Sequence, residues 1–80
     1  MQMNDEIILV DATGLKCPLP VLKARKVMKT LQGGSKIRVL STDPASPLDF
    51  KHFCNSKGHI LISMEEHQDN IEFVIEKVCD

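Results

Sequence analysis

The stretch of sequence that decides the fold is residues 6–41, EIILVDATGLKCPLPVLKARKVMKTLQGGSKIRVLS. It begins with an uninterrupted apolar run in Glu6–Asp11, which predicts a strand that is central in a sheet or covered on both faces. Apolar positions then recur at intervals of three and four, which predicts a helix over Pro18–Leu31 that ends before a pair of glycines. Lys36–Ser41 alternates apolar and basic residues, as a second strand does. A strand, a helix and a strand in this order predict a right-handed crossover between parallel strands.

The rest of the chain predicts one more helix and a hairpin. A capping residue followed by proline occurs at positions 43–44 and again at 46–47. Each pair favours a helix start, and the sequence leaves open which is used. Gly58 ends this helix, and His59–Met64 and Asn70–Val78 predict two antiparallel strands. The order βαβαββ predicts a two-layer α/β sandwich with a four-stranded mixed sheet and two helices packed on one face.

Length and composition exclude several classes of protein. Eighty residues, 42% hydrophobic and 26% charged, predict one globular domain over residues 1–80 rather than a disordered or coiled-coil chain. No apolar run approaches the ~20 residues of a membrane span, and the acidic start does not resemble a signal peptide. Three cysteines and three histidines without metal-ligand spacing predict neither a disulfide framework nor a metal site. We therefore expect a cytoplasmic protein without cofactor or metal.

The net charge of −1 conceals a strongly basic segment. Residues 16–40 carry seven basic side chains and no acidic one, and most of them lie on the helix that begins near Cys17. This concentration favours an acidic protein partner, because complementary charge raises encounter rates. The chain has no Trp or Tyr on which bases could stack, which argues against nucleic-acid binding.

The segment Cys17-Pro18-Leu19-Pro20 is the one that the fold alone does not explain. A residue before proline is kept out of the helical region, and proline is a favoured first helical residue, so Cys17 is predicted to cap the first helix. The helix dipole, the free amides and the nearby lysines are expected to lower the pKa of its thiol from about 8.5 into the range of roughly 3.5–7.5. Such a thiolate would attack sulfur electrophiles and hold a persulfide as an anion. The alternative, a small buried structural cysteine, is what we expect of Cys54.

The stretch GLKCPLPV at residues 14–21 resembles the signature of the TusA/SirA/YedF sulfur-carrier family, Gly-x-x-Cys-Pro-x-Pro followed by a hydrophobic helix. The resemblance covers residue 11 to about residue 78 and continues through Asp43-Pro44-Ala45, Asp49-Phe50, Phe53-Cys54 and Gly58-His59. It implies a persulfide carrier rather than a turnover enzyme. Such a carrier accepts sulfane sulfur from a cysteine desulfurase or a rhodanese. It relays the sulfur to a cysteine of an acceptor protein, commonly toward 2-thiouridine in tRNA.

The resemblance also implies roles for individual residues. Cys17 carries the persulfide, and Gly14, Pro18 and Pro20 belong to the rigid motif that presents it. The residues expected to contact partner proteins are Lys16, Lys23, Arg25, Lys26 and Asp43. The partners are a sulfur donor and a sulfur acceptor, both of them proteins, and we expect a monomer that contacts neither membrane nor nucleic acid directly.

The sequence alone leaves other functions open. The sequence does not separate tRNA thiolation from related carriers in sulfur oxidation or molybdenum-cofactor sulfuration. The predicted fold also resembles the C-terminal domain of translation initiation factor three, so an RNA-binding module is an alternative, although the low aromatic content argues against it. A thiol–disulfide oxidoreductase is disfavoured because the motif lacks the second cysteine of Cys-x-x-Cys.

Overall fold

The computed structural model describes residues 7–78. Its elements are, in chain order, β1 (Ile7–Ala12), α1 (Leu19–Lys29), β2 (Lys36–Ser41), α2 (Ser46–Lys57), β3 (Ile60–Glu66) and β4 (Ile71–Glu76). The predicted order βαβαββ is confirmed. The start of the first predicted strand, at Glu6, lies outside the described residues. Within residues 7–78, neither helix has the length and apolar character that crossing a membrane requires.

The four strands form one mixed sheet in the order β1-β2-β4-β3. β1 and β2 are parallel, whereas β4 is antiparallel to both β2 and β3. Ala12 at the end of β1 is opposite Ser41 at the end of β2. The loops that follow these strands, residues 13–18 and 42–45, therefore leave from the same edge of the sheet.

Both helices cover one face of the sheet, as predicted. The core is built from alternate residues of three strands and from the inward sides of the helices: Val10, Ala12, Ala24, Met28, Ile37, Val39, Phe50, Phe53, Cys54, Phe73 and Ile75. The ring of Phe50 from α2 stacks on that of Phe73 in β4, with 4.6 Å between centroids. The opposite face is open, and Leu9 on it is 59% exposed. The prediction that the first strand is central or covered on both faces is wrong, because β1 lies at the edge of the sheet and has one open face.

The start of α1 differs from the prediction. Its N-cap is Pro18, not Cys17, and the Cys17–Pro18 peptide bond is cis. A turn precedes the helix, in which the amide of Leu19 donates to the carbonyl oxygen of Lys16 at 2.8 Å. The predicted capping position of Cys17 is therefore wrong. Of the free amides expected near the sulfur, that of Leu19 already donates to the carbonyl oxygen of Lys16 in this turn.

Neither of the two predicted caps begins α2. The helix starts at Ser46 with Ala45 as its N-cap, because Asp43 bonds within the loop and the Ser46 hydroxyl pairs with that of Ser41 in the buried layer. It ends as predicted at Gly58, whose φ of 77° is the left-handed conformation that glycine adopts without strain. β2 has the predicted bounds, and the remaining boundaries within residues 7–78 differ from the predicted ones by one or two residues.

A buried lysine joins the end of the sheet to the end of α1. Lys77 is only 8% exposed, and its Nζ donates to the carbonyl oxygens of Met28 at 2.7 Å and Leu31 at 2.6 Å. Its backbone amide donates to the carbonyl oxygen of Ser35 at 2.8 Å. Carbonyls at a helix C-terminus lack intrahelical partners and carry partial negative charge, so a cation there is stabilising. Nothing in the sequence singled out this residue.

Candidate functional site

Cys17 lies in the loop between β1 and α1, and its side chain is exposed. The loop begins at Gly14, whose φ of 82° is rarely adopted by other residues and whose amide donates to Thr42 Oγ1 at 2.9 Å. It leads into α1, whose second residue, Pro20, is buried. An exposed thiol is thus presented between two anchored ends.

A carboxylate fixes the backbone of Cys17. The amide of Cys17 donates to Asp43 Oδ2, and the amide of Ala45 donates to Asp43 Oδ1 at 3.0 Å. These two backbone hydrogen bonds lower the pKa of the Asp43 carboxyl. Asp43 therefore connects the Cys17 loop to the loop before α2. Its expected contact with a partner protein stays a prediction.

The pKa of the Cys17 thiol is raised, which contradicts the lowered pKa expected from the sequence. A hydrogen bond to the Asp49 carboxylate contributes most to this rise. Partial desolvation and the negative charges of Asp49 and Asp43 follow. None of the basic side chains within residues 7–78 is among the causes of this shift. Lys23 Nζ donates to the carbonyl oxygen of Asp11 at 2.6 Å.

The effect of Asp49 on the Cys17 thiol was not predicted from the sequence. Asp49 lies in the first turn of α2, and that helix begins at the same sheet edge as the Cys17 loop. The sequence contained a signal for this role. The ends of two parallel strands lie at the same edge of a sheet, and Asp49 is an acidic residue in the first turn of the helix that follows the second strand. Asp49 thus places a carboxylate near the exposed thiol, where it is the main cause of the raised pKa of Cys17.

Replacing Asp49 with asparagine is expected to lower the pKa of Cys17, because the charge and the strongest acceptor are removed together. Each tenfold increase in the thiolate fraction is accompanied by a roughly threefold decrease in the nucleophilicity of that thiolate. The net rate of alkylation at neutral pH therefore rises about threefold for each tenfold increase in thiolate. The measurement is the rate of iodoacetamide alkylation of Cys17 against pH. Asp69→Asn, in the loop before β4, is the matched control and leaves the rate unchanged. This account is contradicted if the pH midpoint of Cys17 alkylation in Asp49→Asn is the same as in the unaltered chain or higher.

Three of the predicted partner residues lie together on α1. Lys23, Arg25 and Lys26 are exposed and line a groove of about 500 Å³. The leucines Leu19 and Leu22, 48% and 44% exposed, also line it. The other two predicted residues lie beside Cys17 instead: Lys16 precedes it in the loop, and Asp43 holds its amide. The site thus combines a basic groove with exposed leucines on α1 and two carboxylates, those of Asp43 and Asp49, next to Cys17.

The remaining candidate ligand residues differ in their relation to this site. His52 lines a cavity together with Pro18 and Asp49. Cys54 is 4% exposed, as predicted, and burial raises the pKa of its thiol to about 11. Cys79 lies outside the described residues. Among residues 7–78, one group has the geometry to hold a metal ion: Glu65, His67 and Glu72, with ligand atoms within 4.8 Å of one another. In this structure the group is already paired, since His67 Nε2 lies 2.8 Å from Glu72 Oε1.

Comparison with known proteins places these features in a family. The family model described as "Sulfurtransferase TusA" matches residues 8–77. A protein of Neisseria meningitidis serogroup A is 42% identical over 92% of this chain and 97% of its own length. The sulfur carrier protein TusA of Allochromatium vinosum is 38% identical over 85% of this chain and 90% of its own. The crystal structure of a SirA-like protein from Desulfitobacterium hafniense superposes with a TM-score of 0.79 at 27% identity, covering 90% of this chain and 99% of that one.

Proposed function

Because this chain belongs to the TusA sulfurtransferase family, we propose that it is a sulfur carrier that receives sulfane sulfur as a persulfide on Cys17 and relays it to a cysteine of an acceptor protein. The observation that carries the proposal is the exposed Cys17 thiol, presented in a loop that Asp43 anchors and beside the Asp49 carboxylate. The thiol is reachable by a second protein, and its proton has an acceptor. The chain acts as a carrier rather than a turnover enzyme, because its substrate arrives on one protein and leaves on another.

Receipt of sulfur is a single exchange at the terminal sulfur of a donor persulfide. The Cys17 proton passes to Asp49 as the Cys17 sulfur attacks the terminal sulfur of the donor R–S–SH. The bond between the two donor sulfurs breaks, and the donor leaves as the thiolate R–S⁻, which takes up a proton. One sulfur atom is transferred and no external oxidant or reductant is required. Because the pKa of Cys17 is raised, Asp49 takes the role of a general base.

Delivery runs through the same atoms in the opposite direction. A thiolate of the acceptor attacks the terminal sulfur on Cys17, and Cys17 leaves as a thiolate that is protonated again. A thiolate whose conjugate thiol has a higher pKa is the stronger nucleophile and the slower leaving group. The carboxylates beside Cys17 therefore slow the departure of Cys17 and favour retention of sulfur until an acceptor docks.

The basic groove on α1 supports protein partners with an acidic surface. Lys23, Arg25 and Lys26 surround exposed leucines, and a polar rim around an apolar centre is common in protein interfaces. Lys16 and Asp43 lie on the other side of this surface, next to the sulfur. We assign the donor to the cysteine desulfurase or rhodanese class and place the carrier, as a monomer in the cytoplasm, on the route to tRNA 2-thiouridine. Carriage of sulfur for oxidation or for molybdenum-cofactor sulfuration is the alternative.

The decisive experiment is sulfur transfer from a purified cysteine desulfurase. We expect the reduced chain, incubated with the desulfurase and cysteine, to gain the mass of one sulfur atom and to lose it on treatment with dithiothreitol. Omission of cysteine prevents the gain, and a rhodanese with thiosulfate provides a second donor. The proposal fails if neither donor loads this chain under conditions in which both load another carrier protein.

A further inference from the structure

A second cleft lies at the far end of the helices from Cys17. Its volume is about 270 Å³, and Met28 and Phe53 form its apolar part. Its other lining residues are all basic: Arg25 and Lys29 on α1, Lys57 at the end of α2, His59 before β3 and Lys77 after β4. We refer to it as the polybasic cleft.

The positive charge of the polybasic cleft exceeds what the fold requires. Among residues 7–78, no acidic residue lines it and no salt bridge involves Arg25, Lys29 or Lys57. Basic residues at helix C-termini have a structural role, since each terminus carries roughly half a negative charge. The two helix ends together contribute only about one negative charge, against four permanent cations. The contacts of Lys77 with Met28 and Leu31 account for one of them.

A hydrogen-bonding atom without a partner belongs to the same cleft. His59 Nδ1 is buried and has no hydrogen-bond partner within the described part of the chain. Buried polar atoms are usually paired in native proteins, and a neutral imidazole donates from either nitrogen. Burial, followed by the charges of Lys77 and Lys57, lowers the pKa of His59. When protonated, His59 adds a fifth positive charge to the lining of the cleft.

We propose that the polybasic cleft is a binding site for a small oxyanion with two or more negative charges, of the phosphate-ester or diphosphate class. The Arg25 guanidinium supplies a planar pair of donors that matches two phosphate oxygens, and the lysines supply point charges. Ligand pockets commonly enclose roughly 300–1,000 Å³, so a cleft of about 270 Å³ takes a small ligand. Met28 and Phe53 provide an apolar surface for the organic part of an ester.

The polybasic cleft does not contain the sulfur atom, although it shares Arg25 and Lys29 with the basic groove on α1. Arg25 is six residues along α1 from Leu19, a rise of about 9 Å, and Lys29 lies about 6 Å farther. Neither Cys17 nor Asp49 lines the cleft. The inference therefore does not rest on the proposed function, and Cys17→Ser is expected to bind the oxyanion as tightly as the unaltered chain does.

The test is a titration of the ¹⁵N-labelled full chain with pyrophosphate and, separately, with phenyl phosphate, at constant ionic strength. We expect saturable NMR shifts confined to residues around the cleft and to the His59 ring. A bound anion favours the protonated imidazole, so the pKa of His59, followed by its ring proton shift, rises when ligand is present. Binding of phenyl phosphate identifies an ester ligand, whereas binding of pyrophosphate alone identifies a diphosphate.

Matched variants separate the site from general surface charge. Arg25→Gln and Lys57→Gln are each expected to weaken binding by about tenfold or more, as loss of a charge-assisted hydrogen bond does. Lys51→Gln, an exposed lysine of α2 outside the cleft, leaves affinity unchanged. The proposal is overturned if neither ligand saturates at millimolar concentration, or if Lys51→Gln weakens binding as much. It is also overturned if only a single-stranded RNA oligonucleotide shifts these residues.

Discussion

Replacing Cys17 with serine is expected to abolish sulfur loading completely. A serine hydroxyl remains protonated at neutral pH and forms no persulfide, while its size and exposure leave the fold intact. The measurement is the intact mass of the variant after incubation with a cysteine desulfurase and cysteine. The mass gain of one sulfur atom seen for the unaltered chain disappears.

Removal of the other cysteines provides the control. Cys54→Ala and Cys79→Ser are each expected to load one sulfur atom as fully as the unaltered chain. Cys54 is buried with a thiol pKa of about 11, so almost none of it is a reactive thiolate at neutral pH. Retention of the adduct in Cys17→Ser, or its loss in Cys54→Ala with the fold preserved, would place the sulfur on another residue.

Replacing Lys77 with methionine is expected to lower the free energy of unfolding by about 2–4 kcal/mol, since hydrogen bonds to charged groups contribute about 1.5–3 kcal/mol each. Methionine retains an apolar chain of similar length but leaves the carbonyls of Met28 and Leu31 without their donor. A domain of this size has a total stability of roughly 4–12 kcal/mol, so the loss is a large fraction of it. Urea denaturation measures the change as a lower midpoint at an unchanged slope.

Lys26→Met is the matched control for that experiment. Lys26 is also a basic residue in the last turn of α1, but it is exposed and bonds to no carbonyl within residues 7–78. We expect a change within about 0.5 kcal/mol, as for most surface substitutions. Equal stability of the two variants would show that Lys77 acts only through its charge near the helix end.

The sequence predicted the elements of this fold well because their signals are local. The crossover in residues 6–41 was evident from periodicity, and the hairpin from alternation. The position of β4 between β2 and β3 was not predicted. Strand order depends on which sheet edge a distant strand reaches, and periodicity carries no information about that. Lys77 was missed for the same reason, since its carbonyl partners lie on α1.

At the candidate site, the sequence by itself determined that a cysteine followed by proline precedes a basic helix. Tertiary structure decided the ionisation of that cysteine. Parallel pairing of β1 and β2 brings the loop before α2 and its first turn against Cys17, so Asp43 and Asp49 surround the sulfur with negative charge. Electrostatic effects on a pKa depend on distance through space, and the nearest charges to this thiol come from another part of the chain.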